Sequence, residues 1–165
     1  MDSLFSNLFS ALQLHITTAA PAIKGVYPEL LQTENYKGSP AAWPCVFVDF
    51  TNFTFAELTQ NVQAAAGELV FRLAYRVTAA DNTTFIDTDT VLGYYEAERQ
   101  LHQALQGWTN GSIAPLTRTR ISTEDRVDRD WTFRVRVITY SLDFNEYPAA
   151  SVTSEIEKPP LELLS

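Results

Sequence analysis

Gly67-Glu68-Leu69-Val70-Phe71-Arg72-Leu73-Ala74-Tyr75-Arg76-Val77-Thr78 carries a period of two: Leu69, Phe71, Leu73, Tyr75 and Val77 fall on one face, Arg72 and Arg76 on the other. Alternation of this kind reads as a half-buried β-strand, because successive side chains leave a pleated backbone on opposite sides. A strand needs pairing partners and a layer to cover its apolar face. The rest of the chain supplies candidates for both.

Downstream, residues 117–127 and 131–144 read as two further strands separated by the turn-prone Asp128-Arg129-Asp130, hence a hairpin. In the last strand Trp131, Phe133, Val135 and Val137 share a face and Arg134 and Arg136 point the opposite way. Upstream, Trp43-Pro44-Cys45-Val46-Phe47-Val48-Asp49-Phe50 reads as a buried strand, with Pro44 tolerated at its first residues or at a sheet edge. Cys45 is expected there as a core thiol. Pro21 holds the residue before it extended, and Ile23, Val26 and Tyr27 then suggest a short strand that Pro28 ends. Residues 32–42, with Gly38 and Pro40, read as an exposed loop. Residues 51–66, rich in Gln and Ala, read as a second long connection with a helical turn around 55–62.

Two helices supply the cover. Leu4, Phe5, Leu8, Phe9, Leu12 and Ile16 recur at three- and four-residue steps, which predicts an amphipathic helix over residues 2–18, capped by Asp2 or Ser3. Burying each of these side chains contributes about 1.5–3 kcal/mol before the discount for a compact unfolded state. A second helix runs from Asp87 or Asp89 through Gln106, with Val91, Tyr94 or Tyr95, Ala97, Leu101 and Leu105 as its buried stripe and Gly107 as its stop. The expected fold is α+β: an antiparallel sheet of four to five strands flanked by two main helices. It forms a single domain over residues 1–144. Residues 145–165, with Pro148, Pro159-Pro160 and four Glu against one Lys, read as an extended acidic arm that becomes ordered on docking.

The 165 residues include 12 Lys or Arg and 20 Asp or Glu, a net charge of −8. This argues against a free-standing nucleic-acid-binding module, whose affinity comes from neutralising phosphates. A single cysteine excludes an internal disulfide and a multi-cysteine zinc site. The longest apolar runs are too short to span a bilayer, and the polar face of the first helix lacks the Lys and Arg of a membrane-surface helix. The apolar N-terminus has no basic side chain before Lys24 and reads as helix, not signal peptide, so the sequons at Asn52, Asn82 and Asn110 are expected to carry no glycan.

No catalytic constellation stands out. Asp87-Thr88-Asp89 fits a helix N-terminus better than a cation site, since calcium takes six to eight oxygens. His102 reads as a partly exposed helix residue. There is no glycine-rich phosphate loop, nucleophile elbow or histidine–carboxylate zinc pattern, so no enzyme activity and no cofactor are expected. The unusual feature is the arginines. Arg118, Arg120, Arg126, Arg129, Arg134 and Arg136 crowd a short stretch, and with Arg72 and Arg76 they would form a stripe on one sheet face if their strands are neighbours. Unpaired like charges opposite one another cost stability. Glu124 shares the parity of Arg120 and Arg126, and the acidic arm or a partner subunit can supply further carboxylates. Arg72, Arg76, Arg118, Arg120, Arg134, Arg136, Glu155 and Glu157 are therefore candidate subunit-interface residues. A solvated face with ordinary ion pairs is the alternative, and DNA contact a third reading. On the interface reading, Arg134→Glu with Arg136→Glu impairs assembly more than folding.

The order of elements also carries a resemblance. The N-terminal helix runs into Ala20-Pro21-Ala22-Ile23-Lys24-Gly25-Val26, followed by a Gln-containing polar loop and the strand Trp43-Pro44-Cys45-Val46-Phe47-Val48. After a long loop come the strand from Gly67, a helix closing on His102-Gln103-Ala104-Leu105-Gln106-Gly107, Pro115-Leu116-Thr117-Arg118 at the start of a strand, and a final alternating strand ending near Tyr140. Over residues 1–144 this resembles the tail terminator, or tail-completion, family of tailed bacteriophages. The resemblance implies a virion protein assembled in the bacterial host cytoplasm as a ring, usually of six copies, that caps the tail tube and joins it to the head-tail connector. Its partners would be itself, the tail-tube protein, the connector or head-completion protein and, where the tail contracts, the sheath. DNA would pass through without specific binding, and no membrane is involved. A neighbouring neck or head-completion ring is an alternative. A third class of reading is a small-ligand domain with Tyr94, Tyr95, Trp108 and His102 at the mouth of a pocket, and a fourth an adaptor whose acidic arm binds a basic partner.

Overall fold

The computed structural model describes residues 3–31, 42–60, 62–76, 88–124 and 133–147. Its elements are α1 (Leu4–Ala19), β1 (Gly25–Pro28), β2 (Cys45–Thr59), β3 (Val62–Arg76), α2 (Thr88–Leu105), β4 (Thr117–Thr123) and β5 (Phe133–Glu146). The five strands form one sheet in the order β1-β2-β3-β5-β4. Every neighbouring pair is antiparallel except β1 with β2. The α+β architecture agrees with the sequence; the parallel first pair departs from the expected antiparallel sheet. The connection over residues 29–44 is long enough for the crossover that parallel neighbours need and too long for a tight hairpin.

α1 is built as its periodicity predicts. The Ser3 hydroxyl accepts the Ser6 N–H at 3.2 Å as N-cap. Leu8, Leu12 and Ile16 are fully buried, and Leu4, Phe5 and Phe9 pack around them. α2 buries Ala97, Leu101, Ala104 and Leu105. Tyr94 turns toward the core, whereas Tyr95 is exposed. Gly107, at φ +77°, takes the left-handed conformation that ends the helix. Both helices lie on one face of the sheet, against Val46 and Val48 of β2, Leu69, Phe71 and Leu73 of β3, and Ile138, Tyr140 and Leu142 of β5. On the opposite face Cys45, Phe47, Ala74 and Val135 form a second, smaller apolar cluster beside Tyr27, Trp43 and Val137. Cys45 is thus a core thiol, its pKa pushed up to about 12 by burial.

The largest departure concerns residues 51–66. They are not a loop with a helical turn but the outer half of a hairpin, because β2 continues to Thr59 and β3 begins at Val62. A β-bulge between Thr51 and Thr54 shifts the register, and Asn52 adopts φ +57° within it. The bulge breaks the alternation that would otherwise reveal the strand. It also turns Phe53 onto Gly67, where the ring meets Phe5 and Phe144 at 5.3 and 5.8 Å between centroids.

β4 spans Thr117–Thr123, residues 125–127 of the expected strand lying outside the described residues, and β5 extends two residues past 144 into what was expected to be the arm. The turn at Asp128-Arg129-Asp130, the loop over 32–41, the cap Asp87 and residues 148–165 lie outside the described residues.

Candidate assembly surface

The register corrects the arginine stripe. Arg72 stands opposite Val137, while Arg136 stands opposite Leu73 and Arg134 opposite Tyr75. Directly opposed residues share a face, so Arg134 and Arg136 are on the helix-covered side and Arg72 is on the other. The expected assignment failed because β5 is a central strand. Its Val135 and Val137 parity and its Ile138, Tyr140 and Leu142 parity are both apolar, so alternation alone could not say which parity faces the helices.

Two of the arginines are internal struts. Arg136 grips Glu98 of α2 with Nε and Nη2, at 2.9 and 3.2 Å, and donates from Nη1 to the Thr123 hydroxyl at 3.0 Å. The bond to Glu98 makes Arg136 harder to deprotonate. Arg72 donates to Glu124 at 2.7 Å and lies 3.6 Å from Glu29. Glu124 therefore supplies compensation as its parity suggested. Glu98 was missed, although a carboxylate one turn from Leu101 and Tyr94 on the rim of the buried stripe was its available signal.

Glu29 accepts the Leu31 N–H at 2.7 Å, yet its side chain is only 6% exposed. Burial raises its pKa above 4.5, and the Leu31 bond and the Arg72 charge offset this only in part. Between 4.5 and that raised value the native state holds a proton that the unfolded chain lacks, so the stability contributed by Glu29 grows as pH falls through this window and is complete below 4.5. Glu29→Gln is expected to flatten this portion of the pH–stability curve, which urea titrations of both proteins from pH 7 to pH 4 would reveal. Curves of identical slope would refute it.

Arg118 is placed opposite Tyr140 and Arg120 opposite Thr139, on a β4 strand whose outer side is a sheet edge. Arg120 is exposed. Arg76 stands opposite Phe133 at the far end of the β3–β5 pair, and Glu155 and Glu157 lie outside the described residues. Among the described candidates, Arg72 and the pair Arg134 and Arg136 thus lie on opposite faces of the sheet. The expected pocket is also divided. Tyr94 and Tyr95 line a cavity of about 220 Å³ with Tyr75, Glu98 and Arg134, but His102 bonds the Tyr140 hydroxyl at 2.9 Å and Trp108 stacks on His15 at 5.2 Å. Burial, then the Arg118 charge, lowers the His102 pKa. His15 donates from Nε2 to the Ala104 carbonyl at 2.7 Å.

What sequence reasoning overlooked is the outer hairpin. Beyond Phe53 every residue of β2 is exposed, including Phe55 at 50% and Leu58 at 56%. A shallow groove of about 580 Å³ runs along it, floored by Ala64 and Ala66 with Thr54, Ala114 and Asp143 at its sides. Among the described residues, no group of three or more His, Cys, Asp or Glu could hold a metal ion, and no helix is long and apolar enough to cross a membrane.

No protein-family model matches the chain, and no curated protein matches it. Among solved structures it is similar to a chain from the virion of a native gene transfer agent particle. The two are 15% identical, with a TM-score of 0.49, and the match covers 82% of this chain and 85% of the other.

Proposed function

We propose that the chain is a structural, non-enzymatic virion subunit that forms a ring, of six copies on the family resemblance, at the head-proximal end of a phage tail. There it terminates the tail tube and meets the head-tail connector. No cofactor takes part, and DNA passes through the ring unbound. The observation that carries this reading is the β2–β3 hairpin, two strands of 15 residues whose outer part extends past the helix-covered core with Phe55 and Leu58 exposed. An arm of this kind buries little within one subunit, and a protruding apolar surface suits a neighbour. The order of elements quoted from the sequence supports the same reading. Native mass spectrometry and negative-stain imaging of the purified protein, alone and with tail-tube protein, test it. Closed rings that cap tube ends are expected; a protein that neither forms rings nor caps tubes would overturn the assignment.

A further inference from the structure

The sheet has two open edges of opposite charge. β1 covers β2 only along Cys45–Val48, with the Glu29 N–H adding one bond to the Val48 carbonyl. From Asp49 to Thr59 the side of β2 away from β3 meets no backbone partner among the described residues. At the other border β4 is the last strand, and of its outer amides that of Arg118 is met by the Gln106 side chain at 3.2 Å. Residues 45–71 contain Asp49, Glu57 and Glu68 and no Lys, Arg or His, whereas residues 117–123 contain Arg118 and Arg120 and no acid.

We propose that the β2 edge of one copy pairs with the β4 edge of the next, so that the sheet continues from subunit to subunit. The proposal rests on the ring reading and specifies its joint. A long open strand edge recruits another strand unless something prevents it. Here like charges oppose β2 meeting β2 and β4 meeting β4, while the unlike edges attract, which selects a head-to-tail contact. Contacts of that type generate rings when the rotation closes. Strand direction agrees. β1, β2 and β5 run one way and β3 and β4 the other, so a sheet continuing in the same sense sets β4 antiparallel to β2, the more stable pairing.

The offset between the edges also fits closure. The middle of β4, Arg120, is level through Thr139 and Val70 with Asp49. The middle of the open stretch, Thr54, is level with Ala66, four residues along β3 from Val70. Spread over the four strands β2, β3, β5 and β4, this is about one residue per strand. Closed barrels of eight strands and shear eight carry the same stagger, with strands tilted by about 36°.

The test uses the full chain with two exposed substitutions, Glu57→Arg and Arg120→Glu. Each alone takes one edge from two like charges to a net charge of zero and is expected to weaken self-association by about tenfold or more. Mixed in equal amounts the variants restore it in part, because in alternation one joint of every two sets an unaltered acidic β2 edge against an unaltered basic β4 edge, and the other exchanges the signs at the two altered positions. Wild-type assembly by either variant alone, or a mixture that fails to recover, overturns the proposal. Hydrogen exchange gives the second readout: amides of residues 49–59 and 119–123 slow on assembly relative to dilute monomer. Rings whose two edges still exchange freely overturn the edge pairing and leave the ring function standing. Open chains with both edges protected support the pairing and overturn the ring function.

Discussion

Arg136→Glu is expected to lower the unfolding free energy by about 3 kcal/mol, at the lower end of the cost of breaking a buried ion pair. The substitution sets a carboxylate against Glu98 where a two-pronged guanidinium contact stood, and Thr123 loses its donor. With side chains 25% and 16% exposed, neither position is open enough for full rehydration, and neither is sealed enough for the upper end of the range. Denaturant unfolding of dilute protein measures the loss, and Arg136→Glu combined with Glu98→Arg should recover part of it. Arg134, exposed at the cavity rim, should change stability by no more than about 0.5 kcal/mol on reversal. The expectation that reversing both arginines mainly impairs assembly is therefore replaced: the pair should be defective in folding first, through Arg136. Unchanged stability of Arg136→Glu would show that the contact with Glu98 does not form in solution.

Gly67→Val is expected to cost about 2–3 kcal/mol, in the range of core overpacking. A Cβ at Gly67 would overlap the Phe53 ring, which lies across the glycine. Phe53 cannot withdraw freely, since it packs against Phe5, Phe55 and Phe144. An aromatic ring laid over a strand glycine covers backbone that would otherwise be bare, so the two positions act as one unit. Phe53→Ala removes the obstacle, and the double variant should be less destabilised than the sum of the two single ones. Denaturant titrations of all four proteins give the coupling. Strict additivity would mean that the ring does not occupy this place.

What was legible followed physical period. Six apolar residues at helical spacing placed α1 and its buried face, and alternation from Leu69 to Tyr75 placed the inner half of β3. The outer hairpin was illegible because its small and amide side chains at Gln63, Ala64, Ala65 and Ala66 resemble helix formers, and because the bulge at Asn52 interrupts the one pattern that marks a strand. Pairing with β5, through Ala65 opposite Phe144, overrides that local preference. The Arg72–Glu124 contact could be read from parity, whereas Arg136–Glu98 depends on which face of β5 the helices cover. The opposite charges of the two edges were present in the sequence. They had no meaning until the strand order set Asp49 and Glu57 on one border and Arg118 and Arg120 on the other.

The bulge at Asn52 has a consequence for how the hairpin can change length. Before it, Phe50 faces the helices. After it, Phe53 and Phe55 do so, one residue out of phase with the base of the same strand. Loss of a single residue at the bulge would remove the extra residue on β2, so that alternation runs unbroken and Phe53 and Phe55 still face α1, whereas loss of one residue beyond it would turn the rest of the strand over. Matched changes of two residues in each strand beyond the bulge would preserve every facing. Beyond the bulge the arm is thus free to lengthen or shorten in even steps, while an odd step is absorbed only at the bulge itself.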